Sequence, residues 1–212
     1  MRTPLMLICS AFSLLTLPLE SAHGACTFGP DTGDDTYTCD SGTAPSLTDA
    51  NGNNTLILPA GGSGTITGGV TFGAGKDRVE VHSGTIGGAV FLDDEIDTFI
   101  MTGGQIQSLD QGEGLDQFEM SGGRIVGGFD SGDIAKMTGG RIGRVDMKLD
   151  DNVFDMPGGA IDNNLATGFG RDTILLKGGT IGGNVSVSGG DDSVTLTGTE
   201  VEGCVSVSYT HL

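Results

Sequence analysis

The sequence predicts an all-β protein, a parallel β-helix (β-solenoid) with about 20 residues in each coil. The first observation is a repeated phrase, Met-Ser/Thr-Gly-Gly-x-Ile, at 101–106, 120–125 and 137–142. The second is its period, because the repeats place isoleucine in steps of 17 to 20 residues at Ile66, Ile86, Ile106, Ile125, Ile142, Ile161 and Ile181. The third is that no stretch after residue 25 has convincing helical spacing. A period this regular is typical of a repeat protein whose units stack on one another.

Each repeat contains two stretches that we predict to be short strands. In the first, apolar and polar residues alternate, as at 117–120, where Phe118 and Met120 lie on one side. Alternation with period two is typical of a half-buried strand. The second stretch contains the isoleucine and continues as at 181–187. Two short strands cannot bury a core alone, so we expect each to pair with its equivalent one repeat later, about 4.8 Å away. The isoleucines would then form one continuous buried ladder.

Two kinds of corner separate these strands. The Gly-Gly pair supplies positions where φ is positive or where backbones crowd. The other corner carries one aspartate or asparagine immediately before the alternating strand. Its seven members are Asp77, Asp97, Asp116, Asp133, Asn152, Asp172 and Asp192. We interpret these side chains as acceptors for local backbone amides in the turns, a common role of Asp and Asn.

Composition excludes several kinds of partner. The chain has 212 residues, 39 of them glycine, and its formal net charge is −18. Binding to nucleic acid phosphates requires a basic surface, so we expect no nucleic acid partner. An anionic membrane surface is disfavoured for the same reason. Acidity fits a soluble extracellular protein.

The N-terminal segment, residues 1–24, is predicted to be a secretory signal peptide cut before Ala25. It has Arg2 near its start and an apolar run at 5–17. Export favours an oxidising compartment, so we expect a disulfide between Cys26 and Cys39 and leave Cys204 unpaired. A lipoprotein signal that ends at Cys26 is the competing interpretation, and His23 stands against it.

The mature chain divides into three parts. Residues 25–62 are predicted to be an N-terminal cap that carries the cysteine pair, and residues 63–207 are the solenoid repeats. Repeat four, around 130–137, is shortened and has Ala135 in a core position, which predicts a local bulge or kink. Residues 208–212 match no repeat and are interpreted as an irregular tail, with a non-native origin as the alternative to a native one. The last repeat is incomplete, so we expect a C-terminally truncated fragment.

These features together resemble the passenger region of bacterial autotransporters. The resemblance rests on the export signal, the early cysteine pair, the segment Asp-Ala-Asn-Gly-Asn-Asn-Thr-Leu at 49–56 and the Met-Ser-Gly-Gly-x-Ile repeats. It implies a right-handed parallel β-helix, secreted or displayed at the outer membrane of a Gram-negative bacterium. The family's transport partner is a C-terminal outer-membrane β-barrel, which this sequence does not contain. We therefore expect a stalk or adhesin-like passenger without catalysis or cofactor, with a host or surface ligand that the sequence does not identify.

A calcium-binding protein of the RTX type is the first alternative. Three turns read Gly-x-Gly-x-Asp and end at Asp77, Asp116 and Asp172, where carboxylate and carbonyl oxygens could bind Ca²⁺. RTX repeats recur every nine residues, whereas these turns recur about every 20. Lys76 and Arg171 also bring positive charge into two of the turns. Calcium is therefore an alternative that we do not favour.

A β-helical polysaccharide lyase or hydrolase is the second alternative. Its carboxylates would come from the clusters 93–95, 150–151 and 191–192, all at or beside the turns. His82 is the only histidine within the repeats and has no evident nucleophile in the sequence around it. We expect the protein not to be an enzyme, because these acids lie where turns require them.

Overall fold

The computed structural model describes residues 25–26, 28–29 and 33–209, and these residues form strands and turns without any helix. The predicted signal at 1–24 and positions 210–212 of the predicted tail lie outside the described residues. One sheet has nine strands and the other fourteen, and every strand pair is parallel. Equivalent strands lie about 20 residues apart along the chain. The predicted β-solenoid is confirmed.

The nine-stranded sheet contains one strand from each coil, in chain order. Its strands are β1 (Thr36–Thr38), β4 (Thr55–Leu58), β7 (Arg78–Val81), β9 (Thr98–Met101), β11 (Gln117–Met120), β13 (Ile134–Met137), β15 (Val153–Met156), β18 (Thr173–Leu176) and β21 (Ser193–Leu196).

The fourteen-stranded sheet contains the remaining strands. They are β2 (Thr43–Ala44), β3 (Leu47–Asn51), β5 (Thr65–Ile66), β6 (Val70–Ala74), β8 (Thr85–Phe91), β10 (Gln105–Asp110), β12 (Arg124–Asp130), β14 (Arg141–Asp146), β16 (Ala160–Ile161), β17 (Leu165–Thr167), β19 (Thr180–Ile181), β20 (Val185–Gly190), β22 (Glu200–Val201) and β23 (Val205–Tyr209).

The isoleucine ladder runs through the fourteen-stranded sheet as predicted. Ile106 pairs with Ile86 on one side and with Ile125 on the other, and the register continues to Val201. All seven isoleucines are buried. The nine-stranded sheet adds a second ladder from the repeated phrase, in which Met101, Met120, Met137 and Met156 are buried. The apolar positions of the repeat therefore line a single narrow core between the sheets.

The second strand of each repeat is bent, which the sequence pattern does not predict. In β12 the register shifts between Ile125 and Gly128, and in later coils the same stretch is split into β16 and β17. Glycines occupy the bend because the backbones approach closely there. A Cβ on Gly88 would lie 2.6 Å from the backbone nitrogen of Gly69. Each coil thus has three short sides rather than two.

The Gly-Gly corner between the two sheets has the predicted conformation. Its second glycine has positive φ, with 82° at Gly123 as an example. A Cβ at Gly123 would also lie 2.6 Å from the carbonyl oxygen of Gly103 in the preceding coil. Both the backbone conformation and the close stacking therefore require glycine at this corner.

The shortened repeat keeps its strand register. β13 pairs with β11 so that Ala135 lies opposite Phe118, without the predicted bulge in this strand. Phe129 in β12 stacks on Phe118 with ring centroids 4.1 Å apart. We infer that this ring occupies core volume left by the small Ala135. The shortening falls on the turn, where Ser131 has φ 57°.

The predicted cap, residues 25–62, consists of coils of the same solenoid. β1 and β4 belong to the nine-stranded sheet, and β2 and β3 belong to the other sheet. Cys26 and Cys39 are joined by a disulfide, the pairing that the sequence predicts. Tyr37 packs between Phe28 and Phe72, which closes the core at this end.

The last described coil is open on its outer side. β21 and β22 are the final strands of their sheets, and β23 pairs only with β20 among the described strands. Leu196 and Val205 are exposed. β23 extends to Tyr209, so positions 208 and 209 of the predicted irregular tail form part of a strand. Pairing with β20 orders them.

Candidate functional site

The Asp and Asn residues that recur from coil to coil form one column along the solenoid, which we call the Asp/Asn ladder. Each member immediately precedes a strand of the nine-stranded sheet. The members are Asn54, Asp77, Asp97, Asp116, Asp133, Asn152, Asp172 and Asp192. The first seven are buried, and Asp97, Asp116 and Asp172 have no exposed surface. The sequence identified seven of these positions, and the structure adds Asn54 from the region interpreted as a cap.

Backbone hydrogen bonds join the members of the ladder. The amide of Asp77 donates to Oδ1 of Asp97 at 2.7 Å, and the amide of Asp97 donates to Oδ1 of Asp116 at 2.8 Å. The same bond joins Asn54 to Asp77 and Asn152 to Asp172. Every ladder side chain except that of Asn152, whose Oδ1 has no partner, therefore binds the coil that precedes it, which confirms that these residues accept backbone amides. The bonds run between coils, whereas the sequence suggested local ones.

The second carboxylate oxygen has no comparable partner. Oδ2 of Asp77, Asp97, Asp116, Asp172 and Asp192 is buried without a hydrogen bond. A buried charge without a partner is strongly disfavoured. This is the least expected chemical feature of the site.

The pKa values of the central ladder residues follow this burial. Desolvation raises the pKa of Asp97 to about 8, that of Asp116 to about 7 and that of Asp77 to about 6. The amide hydrogen bond opposes the rise in each case, and neighbouring carboxylates add to it. Burial also raises the pKa of Asp133.

Several cations of the described chain pair with acids outside the ladder. Arg144 holds Asp130 through two bonds of 2.7 and 2.9 Å, and Lys148 lies 3.0 Å from Asp146. Arg124 and Arg141 both contact Asp162. Within the described part of the chain, no ion pair reaches a ladder carboxylate. The described ladder carboxylates are thus without an ion-pair partner.

Two depressions lie beside the turns that precede the ladder. A notch of about 500 Å³ opens at the shortened turn and is lined by Glu113, Asp133, Lys148 and Asp150, among others. A groove of about 420 Å³ is lined by residues such as Phe72, Phe91, Asp93 and Asp110. The notch exists because the turn at 131–133 is shorter than the turns on either side of it.

The residues considered for calcium do not converge. Asp77, Asp116 and Asp172 occupy separate coils of the ladder, and the Oδ1 of each accepts a hydrogen bond from a backbone amide. Among residues 25–26, 28–29 and 33–209, no group of three or more His, Cys, Asp or Glu side chains is placed to hold a metal ion. We therefore assign these three carboxylates a role in joining coils.

The residues considered for polysaccharide cleavage lie in separate turns. Asp94 forms a backbone bridge with Glu113, Asp151 accepts the amide of Arg171, and Asp192 accepts the amide of Asp172. Asp93, Glu95 and Asp150 have positive φ, an uncommon conformation for residues other than glycine. These contacts give the acids turn-forming roles.

His82 has two partners that the sequence did not reveal. Its Nε2 lies 2.9 Å from Oε2 of Glu80, and its Nδ1 lies 2.8 Å from Oγ1 of Thr102. The hydrogen bond from His82, followed by that from Arg78, lowers the pKa of Glu80. Glu80, His82 and Thr102 thus form a row that resembles a catalytic triad of acid, base and hydroxyl. However, the amides of Thr102 and Gly103 both donate to the carbonyl of Val81, so they do not provide an oxyanion hole.

Comparisons with family models, with curated proteins and with solved structures give no match to this chain. The class is therefore defined by its coil geometry: the chain is a β-solenoid repeat protein. No helix in the described part of the chain has the length and apolar character needed to span a membrane.

Proposed function

We propose that this chain is a secreted or surface-displayed β-solenoid that acts as a rigid stalk or adhesin-like passenger and not as an enzyme. The observation that carries the proposal is the uninterrupted stack of nine parallel strands. At about 4.8 Å per coil, the eight intervals give a rod of roughly 38 Å. The strands of the nine-stranded sheet pair without a register shift, which makes this rod a continuous structural unit.

The side chains of the turns support a role in contact rather than in catalysis. Four exposed large apolar residues lie on the turns that precede the ladder, namely Ile96, Leu115, Leu149 and Phe169. Where exposed apolar residues form a contiguous patch, they are typical of contact surfaces. The resemblance to autotransporter passengers adds an outer-membrane β-barrel as the transport partner and a Gram-negative cell surface as the location.

Cys204 offers a direct test of display, because it is the free cysteine of the described chain and is exposed. Intact cells that carry the gene at its own locus would be treated with a membrane-impermeant maleimide. We expect Cys204 to be labelled without lysis, and Cys204→Ser to abolish the signal. Labelling of Cys204 only after lysis would contradict surface display. Absence of the protein from the cell-free culture medium would contradict secretion.

The purified full chain would be tested separately for cleavage of polygalacturonate and other acidic polysaccharides. We expect no release of reducing or unsaturated ends. Activity that is lost in a Glu80→Gln or His82→Ala variant would favour the enzyme alternative and contradict the proposal.

A further inference from the structure

The buried Oδ2 atoms of the ladder occupy a position at which the asparagines of the same ladder carry a hydrogen-bond donor. Asn54 accepts the amide of Asp35 through Oδ1, as Asp97 accepts the amide of Asp77. The Nδ2 of Asn54 then donates to the carbonyls of Asn51 and Gly52. The amide group is thus oriented with its oxygen toward the preceding coil and its NH₂ toward its own turn.

Asn152 repeats this arrangement on the turn side. Its Nδ2 donates to the carbonyls of Leu149 and Asp150, both at 3.1 Å. These acceptors lie three and two residues before the asparagine, as they do at Asn54. The second side-chain atom of the ladder therefore faces backbone carbonyls of its own turn.

The turn of Asp97 shares one backbone feature, a positive φ, with the turns of the two asparagines. The residue two positions before it, Glu95, has φ 85°, compared with 92° at Gly52 and 76° at Asp150. Oδ2 of Asp97 thus corresponds to the Nδ2 of the asparagines, but it has no hydrogen-bond donor. An ionised oxygen would face carbonyl oxygens there, whereas a protonated one could donate as the amide does.

The charged groups around the ladder strengthen this argument. Asp97 is influenced by Asp116 and Asp77 in the adjacent coils and by Glu95 in its own turn. Asp49 acts on Asp77, Asp133 acts on Asp116, and Asp150 and Glu113 act on Asp133. All of these groups are acids. Lys76, Arg171 and Lys148 lie in or beside the turns, but none is ion-paired with a described ladder carboxylate.

We propose that Asp97 is a neutral carboxylic acid in the folded solenoid, with its Oδ2 proton donated to the carbonyls of its turn, and that Asp77 and Asp116, whose Oδ2 atoms are also buried without a partner, are neutral as well. Folding then takes up protons, and the ladder makes the stability of the stack depend on pH. Mild acid favours the closed stack, and rising pH loosens it. Neutralisation also removes the repulsion between carboxylates stacked one coil apart.

The direction of this effect follows from the raised pKa values. An unfolded aspartate has a pKa near 3.8, whereas the folded values are about 6, 8 and 7 for Asp77, Asp97 and Asp116. The stabilisation is complete below the unfolded pKa and is lost as the pH rises through the folded values. Between those limits, each proton taken up on folding changes the unfolding equilibrium about tenfold per pH unit.

The test is the urea denaturation midpoint of the full chain between pH 5 and pH 9, a window chosen around the raised pKa values. We expect the wild-type midpoint to fall with pH and Asp97→Asn to flatten that fall, because the amide retains the donor without ionising. Glu119→Gln is the matched control, since Glu119 is exposed on the outer face of β11. It should keep the wild-type slope. Asn152→Asp should steepen the slope by adding a ladder carboxyl.

A second measurement does not depend on any variant folding. Carbon-13 NMR of aspartate carboxyl groups in the wild-type chain would follow their protonation, with Asp97→Asn used only for assignment where it folds. Ladder carboxyls that remain protonated above pH 6 are expected from the proposal. Titration of all carboxyls near their ordinary pKa would overturn it.

A bound cation is the competing explanation for the Oδ2 atoms. Calcium chloride would therefore be added at pH 8, at constant ionic strength, with magnesium chloride in parallel. We expect no specific increase in the midpoint. An increase with Ca²⁺ that Asp97→Asn abolishes would show that a cation, rather than a proton, satisfies these oxygens, and it would overturn the proposal.

Discussion

At the residue scale, stability depends on side chains that recur at the same position in successive coils. Ile142 lies between Ile125 and Ile161, and all three are buried. Because the ladder is continuous, a defect at one isoleucine affects the contacts of two neighbouring coils. The same argument applies to Asp97, which binds the preceding coil and is bound by the next one.

We expect Ile142→Ala to lower the free energy of unfolding by about 2–5 kcal/mol, because it leaves a cavity in the core. Ile142→Val should cost about 0.5–1.5 kcal/mol. Ile142→Asp should unfold much of the stack, since it buries a charge without a partner. Chemical denaturation followed by circular dichroism measures these changes.

Leu149→Ala, at a site that is 60% exposed, is the control and should change stability by less than about 0.5 kcal/mol. An Ile142→Asp protein as stable as the wild type would contradict the ladder.

At the element scale, the coil is the unit that can be added or removed. β9, β11 and β13 pair in register, and β8, β10 and β12 pair with one register shift at the glycine bend. The glycine corners and the Asp/Asn ladder recur in the same order in each coil. A repeat protein of this kind has stability that is roughly a sum over coils and the interfaces between them.

We expect the chain to tolerate removal of residues 103–121, which joins Thr102 to Gly122. The deletion places Met101 before the glycine corner that normally follows Met120. It therefore keeps the isoleucine ladder and the methionine ladder in register. The rod should shorten by about 4.8 Å and keep its β-sheet circular dichroism. Small-angle X-ray scattering measures the length.

Removal of residues 103–112 is the matched control, because it joins Thr102 to Glu113 and destroys the register. This variant should lose cooperative unfolding, since turn residues replace the isoleucine strand. Equal damage from the two deletions would show that the coil is not the independent unit.

At the scale of the whole molecule, the two ends of the described rod differ. The first end has the disulfide of Cys26 and Cys39 and the packed ring of Tyr37. At the other end, the outer edges of the last strands have no pairing partner among the described residues, and the side chains of Leu196 and Val205 are exposed. Open edges with apolar residues readily pair with other chains.

We expect this chain in isolation to associate with a second copy through the open end. The double variant Leu196→Lys and Val205→Lys should reduce the association, because lysine on an edge disfavours pairing. Sedimentation velocity over a range of protein concentrations measures the effect. Leu149→Lys, on the side of the rod, should behave as the wild type does. A monomer at every concentration would contradict this prediction.

Much of the fold could be predicted because its information is local and repeated. The isoleucine spacing predicts the ladder, and the Gly-Gly phrase predicts the corner with positive φ that Gly123 adopts. The Asp and Asn positions were identified as turn residues from their place before each strand. A repeat multiplies each weak local signal, so the period is reliable even where a single coil is ambiguous.

The chemistry of the ladder was decided by tertiary structure alone. Asp97 and Asn152 have the same place in the sequence pattern, yet only the stacked coils show which oxygen is bound and which is buried without a donor. The row of Glu80, His82 and Thr102 joins residues from two coils, and Phe129 packs on Phe118 from another sheet. Desolvation and contacts between coils depend on distance in space, so the sequence determined the repeat and its turns, whereas stacking decided the protonation and the packing of the core.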